Sequence, residues 1–222
     1  MTPQSLSRRM EKPKAGLIES YYMQPTRKTR IFFAIAIFFV ASSAFVITKG
    51  YFMTKGVPQE FRDARSQGAS ISQNIVDLSN KLSKELENVN TLDKQAQYSQ
   101  ALALTNELIR QSNQIRDEAL KLSSELEAMA RALPKIKSEE ARQAALDSIS
   151  NRLALITRLL NYSQNLQELL TTLRGRFAGE SQGKQVGSII NSINAEVTAI
   201  NNFNRVATES MDKFDAIEKS SL

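Results

Sequence analysis

The sequence predicts an all-α protein: a single N-terminal transmembrane helix followed by a long antiparallel, up-down-up-down four-helix bundle or coiled-coil domain. Three observations carry that expectation. Residues Ile31 to Thr48 form a run of eighteen residues without a charge. Four later segments repeat apolar residues in alternating steps of three and four, the pattern of one helix face. Only eight glycines and five prolines occur in 222 residues, a composition poor in turns and rich in helix formers.

The apolar run rises about 27 Å as a helix, close to the hydrocarbon thickness of a bilayer. A helix bonds its own backbone amides, which lipid cannot do. Ser42-Ser43-Ala44 resembles a small-residue cleavage site, but Phe45-Val46-Ile47 carries the apolar stretch past it. An uncleaved signal-anchor is therefore preferred to a signal peptide, and a mitochondrial presequence is the lesser reading. The expected organisation is a basic tail over 1–30, the transmembrane helix over 31–48, a juxtamembrane linker over 49–68 and the bundle domain over 69–222.

Residues 1–30 hold seven basic and two acidic side chains, with Arg27, Lys28 and Arg30 flanking the membrane segment. Basic flanks stay on the cytoplasmic side and lie against anionic lipid. The expected placement is a single-pass protein of the bacterial inner (plasma) membrane, N-terminus cytoplasmic and bundle extracytoplasmic, in the periplasm. The rest of the chain carries 22 basic and 21 acidic residues. Five of the six net positive charges thus reside in the tail, and nucleic-acid binding is not expected.

Composition also argues against catalysis. The chain has no cysteine, histidine or tryptophan. It therefore lacks thiolate nucleophiles, the commonest general base and the commonest transition-metal ligands. No catalytic residue, metal or cofactor is expected.

After the linker, Ile71, Ile75, Leu78, Leu82, Val89 and Leu92 share one helix face, with Glu85 as its exception. Asn90 or Thr91 followed by Asp93 reads as a new helix start. The second helix is the clearest: Leu104, Leu108, Gln111, Ile115, Ala119, Leu122, Leu126, Met129 and Leu133 keep the alternation. Asp117–Lys121 and Glu127–Arg131 are favourable pairs on its outside, and Pro134 ends it. Ser138 caps a third helix whose first turn holds Glu139 and Glu140. That helix carries Leu146, Ile149, Leu153, Ile156, Leu159, Leu166, Leu170 and Leu173, and Gly175 stops it. Its seam drifts by about one residue after Ile156. The fourth reads Val186, Ile190, Ile193, Val197, Ile200, Asn204, Ala207, Met211 and Phe214. No helix buries such a seam alone, and short connections favour antiparallel neighbours.

The candidate site is the set of polar exceptions, one per helix: Glu85, Gln111, Ser163 and Asn204. Such residues usually fix register. Gln111 and Asn204 each lie roughly 30 Å from the membrane-distal end, so they are expected to share a layer and pair through their amides. Gly175, Gly179, Gly183 and Gly187 recur every fourth residue among polar neighbours and read as a loop. Gly183-Lys184 lacks the spacing and the Ser or Thr of a phosphate loop. Asn161-Tyr162-Ser163 matches a glycosylation acceptor but falls mid-helix.

No single family is recognised. The layout of one anchor before a helical domain resembles the membrane-anchored bundles of bacterial envelope complexes and chemoreceptor sensor domains. Chemoreceptor domains return to the membrane through a second span, and none follows here. The expected function is a non-enzymatic helical scaffold or adaptor subunit of a membrane or envelope complex, acting by positioning. Its partners are the lipid bilayer, other membrane or envelope proteins, and a second copy of the chain as homo-oligomer. The alternatives are an extracytoplasmic ligand-sensing bundle and a cytoplasmic coiled-coil tether or membrane-remodelling protein.

Overall fold

The apolar spacing resolves into four long helices. The computed structural model describes residues 56–180 and 186–220. Among them, α1 is Gln59–Lys94, α2 Tyr98–Ala132, α3 Glu139–Phe177 and α4 Val186–Ser220, with a 3-10 turn at Leu133–Lys135 and no strand. The expected transmembrane segment 31–48 and its basic flank, Arg27, Lys28 and Arg30, lie outside the described residues. Among the described residues, no helix is long and apolar enough to cross a membrane.

Consecutive helices run antiparallel and their backbones approach closely. Small residues permit this. A Cβ added at Gly68 of α1 would stand 3.4 Å from Leu122 Cδ1 and 3.7 Å from Glu125 Cβ of α2. Two buried serines then fix register across the other interfaces. Ser163 Oγ of α3 donates to the Ser112 carbonyl of α2 at 2.9 Å, and Ser148 Oγ of α3 donates to the Ala207 carbonyl of α4 at 2.8 Å.

The first and last helices meet mainly through side chains. Phe61 and Phe214 rings lie 5.3 Å apart. The Arg65 guanidinium grips Asp215 with two bonds of 2.6 and 2.7 Å. Phe61, Phe214, Ile75, Leu108, Ile149 and Ile193 are among the fully buried side chains of the common core. Each such burial contributes roughly 1.5–3 kcal/mol.

The boundaries differ from the expected ones at three places. The linker expected over 49–68 ends at Pro58, and 59–68 are already helical. Gly68 is buried inside α1 because α2 needs the space, not because the chain turns there. Asn90 and Thr91 start no helix: α1 continues to Lys94, and Thr91 Oγ1 bonds back to the Glu87 carbonyl. Gly175 likewise stays within α3, and the stop comes at Gly179, with φ +78°.

Both helix ends use the same device. At α3, Glu180 N–H donates to the Gly175 carbonyl and Gly179 N–H to that of Arg176. At α1, Gln97 N–H donates to Leu92 and Ala96 N–H to Asp93. These paired bonds require a left-handed residue just past the helix. At α1 that residue is Ala96, with φ +55°. An alanine Cβ is strained there, and the missing glycine hides this stop in the sequence. Ser138 caps α3 as expected, its side chain accepting from Ala141 N–H. On the α2 surface Glu127–Arg131 forms at 2.6 Å, whereas Lys121 takes Glu118 at 2.6 Å instead of Asp117.

Two predictions follow from these ends. Ala96→Gly is expected to raise stability by about 0.5–1 kcal/mol, read as an increased midpoint in chemical denaturation. The second concerns Glu218, which is 6 % exposed, its carboxylate packed where a Cβ on Gly56 would stand 2.9 Å from Oε2. Burial pushes its pKa up from 4.5. The fold thus favours the protonated acid, and the stability this residue contributes in acid is lost as pH rises through the elevated pKa. Glu218→Gln should therefore gain stability over the wild type towards neutral pH, with the two converging in acid. Thermal unfolding across that window measures it.

Candidate functional site

The outer face of the α2–α3 hairpin carries the exposed apolar surface. Leu120 of α2 is 48 % exposed, and Leu146 and Leu153 of α3 are 41 % and 42 % exposed. Scattered leucines would need no account, but these are aligned. Asn113 and Gln167 side chains join across the outside of the hairpin. Leu120 lies seven residues after Asn113, and Leu160, Leu153 and Leu146 precede Gln167 in steps of seven. Steps of seven keep one helix face. The Ser163–Ser112 register places Leu120 about two residues from the level of Leu153, so these leucines lie on the same side of the hairpin. Exposed Gln143, Ser150, Thr157 and Gln164 border the α3 leucines, an uncharged margin of the kind found at protein contacts.

This corrects the expected seam of α3. Leu146 and Leu153 belong to the surface. The buried face is built from Ala141, Ala144, Ala145, Ser148, Ile149 and Ile156, among others. Small side chains let α3 lie close to two neighbours at once, and that width turns the leucines outward.

The four polar exceptions do not form one layer. Glu85 is half-buried and accepts from Asn88 Nδ2 at 2.8 Å. Ser163 is 1 % exposed and serves register through Ser112. Gln111 and Asn204 are both buried, at 5 % and 8 % exposed, but they are not brought together. Gln111 Nε2 donates to Glu107 Oε1 of its own helix at 3.0 Å, and its Oε1 is buried without a partner. The serine registers place Gln111 near the level of Ser163 and Asn204 near that of Ser148, roughly 20 Å apart.

Stagger accounts for about 12 Å of the difference, and the rest arises because Gln111 lies 13 residues below Tyr98 and Asn204 18 below Val186. α2 begins level with Phe177, on which Tyr98 stacks at 6.3 Å. The Ser148–Ala207 register brings Val186, the first residue of α4, level with Leu169. α4 thus enters roughly two turns lower, and counting down from the helix starts misaligns the pair.

Other polar groups were not singled out by the seam pattern. Arg152 of α3 is half-buried, its Nε fully enclosed and without a partner. Burial, with the nearby charge of Arg65, pushes its pKa down to about 10. Asn201 and Asn194 of α4 and Ser83 of α1 also hold buried side-chain oxygens without partners. An arginine at a core position within an otherwise apolar repeat is the one signal that could have drawn attention to them. An open groove of about 550 Å³ between α1 and α2 is lined by Asp77, Lys81, Asp117 and Lys121, among others. Its opposite charges compensate one another. Among the described residues, no group of three His, Cys, Asp or Glu side chains could hold a metal ion.

If Gln111 and Asn204 are separated as described, the double-mutant cycle Gln111→Leu with Asn204→Leu should show a coupling below about 0.5 kcal/mol. A larger coupling in denaturant titrations would mean direct contact. Comparison with known proteins leaves the reading to these residues: no protein-family model, curated protein or solved structure matches the chain.

Proposed function

We propose that the protein is a non-enzymatic helical scaffold or adaptor, anchored in a membrane by residues 31–48 and docking a second envelope or membrane protein on its α2–α3 face. The observation that carries this reading is the aligned exposure of Leu120, Leu146 and Leu153. Two adjacent helices that present leucines in steps of seven suit one amphipathic partner helix. The charge-free segment and its basic flank support the anchor. The mechanism is positioning: a rod of 35-residue helices, about 50 Å long, holds the docking face beside the bilayer.

Ligand sensing is the second reading, favoured by the enclosed, unpartnered Nε of Arg152. It differs in requiring an occupant inside the bundle instead of on its surface.

The test is cross-linking and co-purification of the full chain from its own membranes. Leu146→Glu with Leu153→Glu is expected to abolish the partner's recovery. Both positions are on the surface, so the thermal midpoint should move by no more than about 2 °C. An unchanged set of partners would overturn the docking face. Loss only of self-association would identify the occupant as a second copy.

A further inference from the structure

The α1–α4 interface differs in chemistry from the other three. Its edges can be read from Arg65 and Asp215, which join the two helices. On α4, Asn194 and Asn201 precede Asp215 on the same face, spaced by multiples of seven. On α1, Ser72, Val76 and Ser83 share the face of Arg65. Continuing the antiparallel register of Phe61–Phe214 and Arg65–Asp215 sets Ser83 level with Asn194 and Val76 level with Asn201.

Close enough to this interface to feel the Arg65 charge is Arg152 of α3, its Nε enclosed and without a partner. It stands one turn beyond Ser148, whose hydroxyl holds α4 at Ala207, and therefore at the level of Asn201 and Asn204. Among the described residues no carboxylate pairs with it. The charge that acts on it, besides burial, is another cation, Arg65, already held bidentately by Asp215. An enclosed Nε–H without an acceptor, near a second cation, is unfavourable until an anion reaches it. Asn201 adds a buried amide without a partner at its oxygen. A half-turn of that amide presents its two N–H donors instead. A planar guanidinium with an amide at the same level of the bundle offers donors suited to a carboxylate or phosphate.

We propose that Arg152 and Asn201 form a binding site for a small soluble anion, a carboxylate or phosphate compound, entering through the α1–α4 interface. A lipid headgroup is not the source: Arg152 lies 13 residues into α3, roughly 20 Å from the end of the bundle where α1 begins. The occupant supplies the charge that the bundle lacks, ties α3 to α4 and α1, and stabilises the closed arrangement by mass action. This site is independent of the α2–α3 docking face and shares no residue with it.

The test is thermal unfolding of the full chain in detergent, with inorganic phosphate, succinate or citrate against chloride at equal ionic strength. At least one of the three is expected to raise the wild-type midpoint, by about 5 °C near 100-fold saturation. Arg152→Met should be the more stable protein in chloride and lose the anion response, so that the order of the two reverses once the site is filled. Asn201→Leu, which keeps the arginine, should weaken the response at least several-fold. In nitrogen-resolved NMR, the Arg152 Nε–H resonance should shift on titration with the effective anion. No response to any of the three probes, or parallel responses in wild type and Arg152→Met, would overturn the site. Should Arg152→Met not fold, the Asn201→Leu titration and the Nε–H resonance decide the question in the same way.

Discussion

Each helix of this bundle exposes one apolar stripe that it cannot bury by itself, and everything else in the structure follows from how those stripes are shared. A helix of 35 or more residues with such a stripe is unstable in water without neighbours. Short connections at Gln95–Gln97 and Leu133–Ser138 return the chain on itself, so the nearest neighbours are the preceding and following helices. The hydrophobic effect supplies the attraction but no register, because it is non-directional. Register comes from Ser148 and Ser163, which spend their hydroxyls on carbonyls of the adjacent helix. A buried hydroxyl left unbonded would cost about 1–3 kcal/mol, so a one-turn slip is penalised twice, in packing and in hydrogen bonding.

The same logic explains which features were legible in the sequence. Most of the α2 and α4 seams is legible in the sequence, because large apolar residues sit on a narrow face there: Leu108, Ile115, Leu122 and Leu126 in one, Ile193, Ile200, Met211 and Phe214 in the other. Leu104, Val186 and Ile190 are only half-buried, and Ile189 takes the buried place in α4. The α3 seam was not legible in this way. Its buried face is wide and partly made of alanine and serine, which a pattern of large residues passes over, so Leu146 and Leu153 were drawn into the core on spacing alone. The end of α1 was hidden for a different reason. The left-handed position is filled by Ala96, and the ordinary signal for such a stop is glycine.

Relative depth of the polar residues was also beyond the sequence. Gln111 and Asn204 each sit at a seam position, and both are buried as the pattern implies. Their separation depends on where α4 enters relative to α2, a property of the connection and of the α3 interface together. Periodicity determines the angle of a residue around its helix. It does not determine height, which only cross-helix contacts such as Ser148 to Ala207 establish.

The order in which the interfaces are built matters for how the bundle responds to load or ligand. Three interfaces join helices consecutive in the chain and have close backbones; the fourth, between α1 and α4, is closed by side chains. Buried oxygens of Ser83, Asn194 and Asn201 and the Arg152 Nε lie without partners on or facing it. Every unpaired polar atom subtracts from the stability of the contact that buries it, so these groups weaken the α1–α4 contact. It is also where the chain enters the bundle: Pro58 leads into α1 beside the end of α4, with Glu218 against Gly56 and Phe61 against Phe214. A displacement arriving from residues N-terminal to Pro58 therefore acts first on the Phe61–Phe214 and Arg65–Asp215 contacts. The α2–α3 face lies across the core from that interface and is held by close backbones and by both ends of α3. One side of the rod can thus adjust while the other keeps its leucines in register.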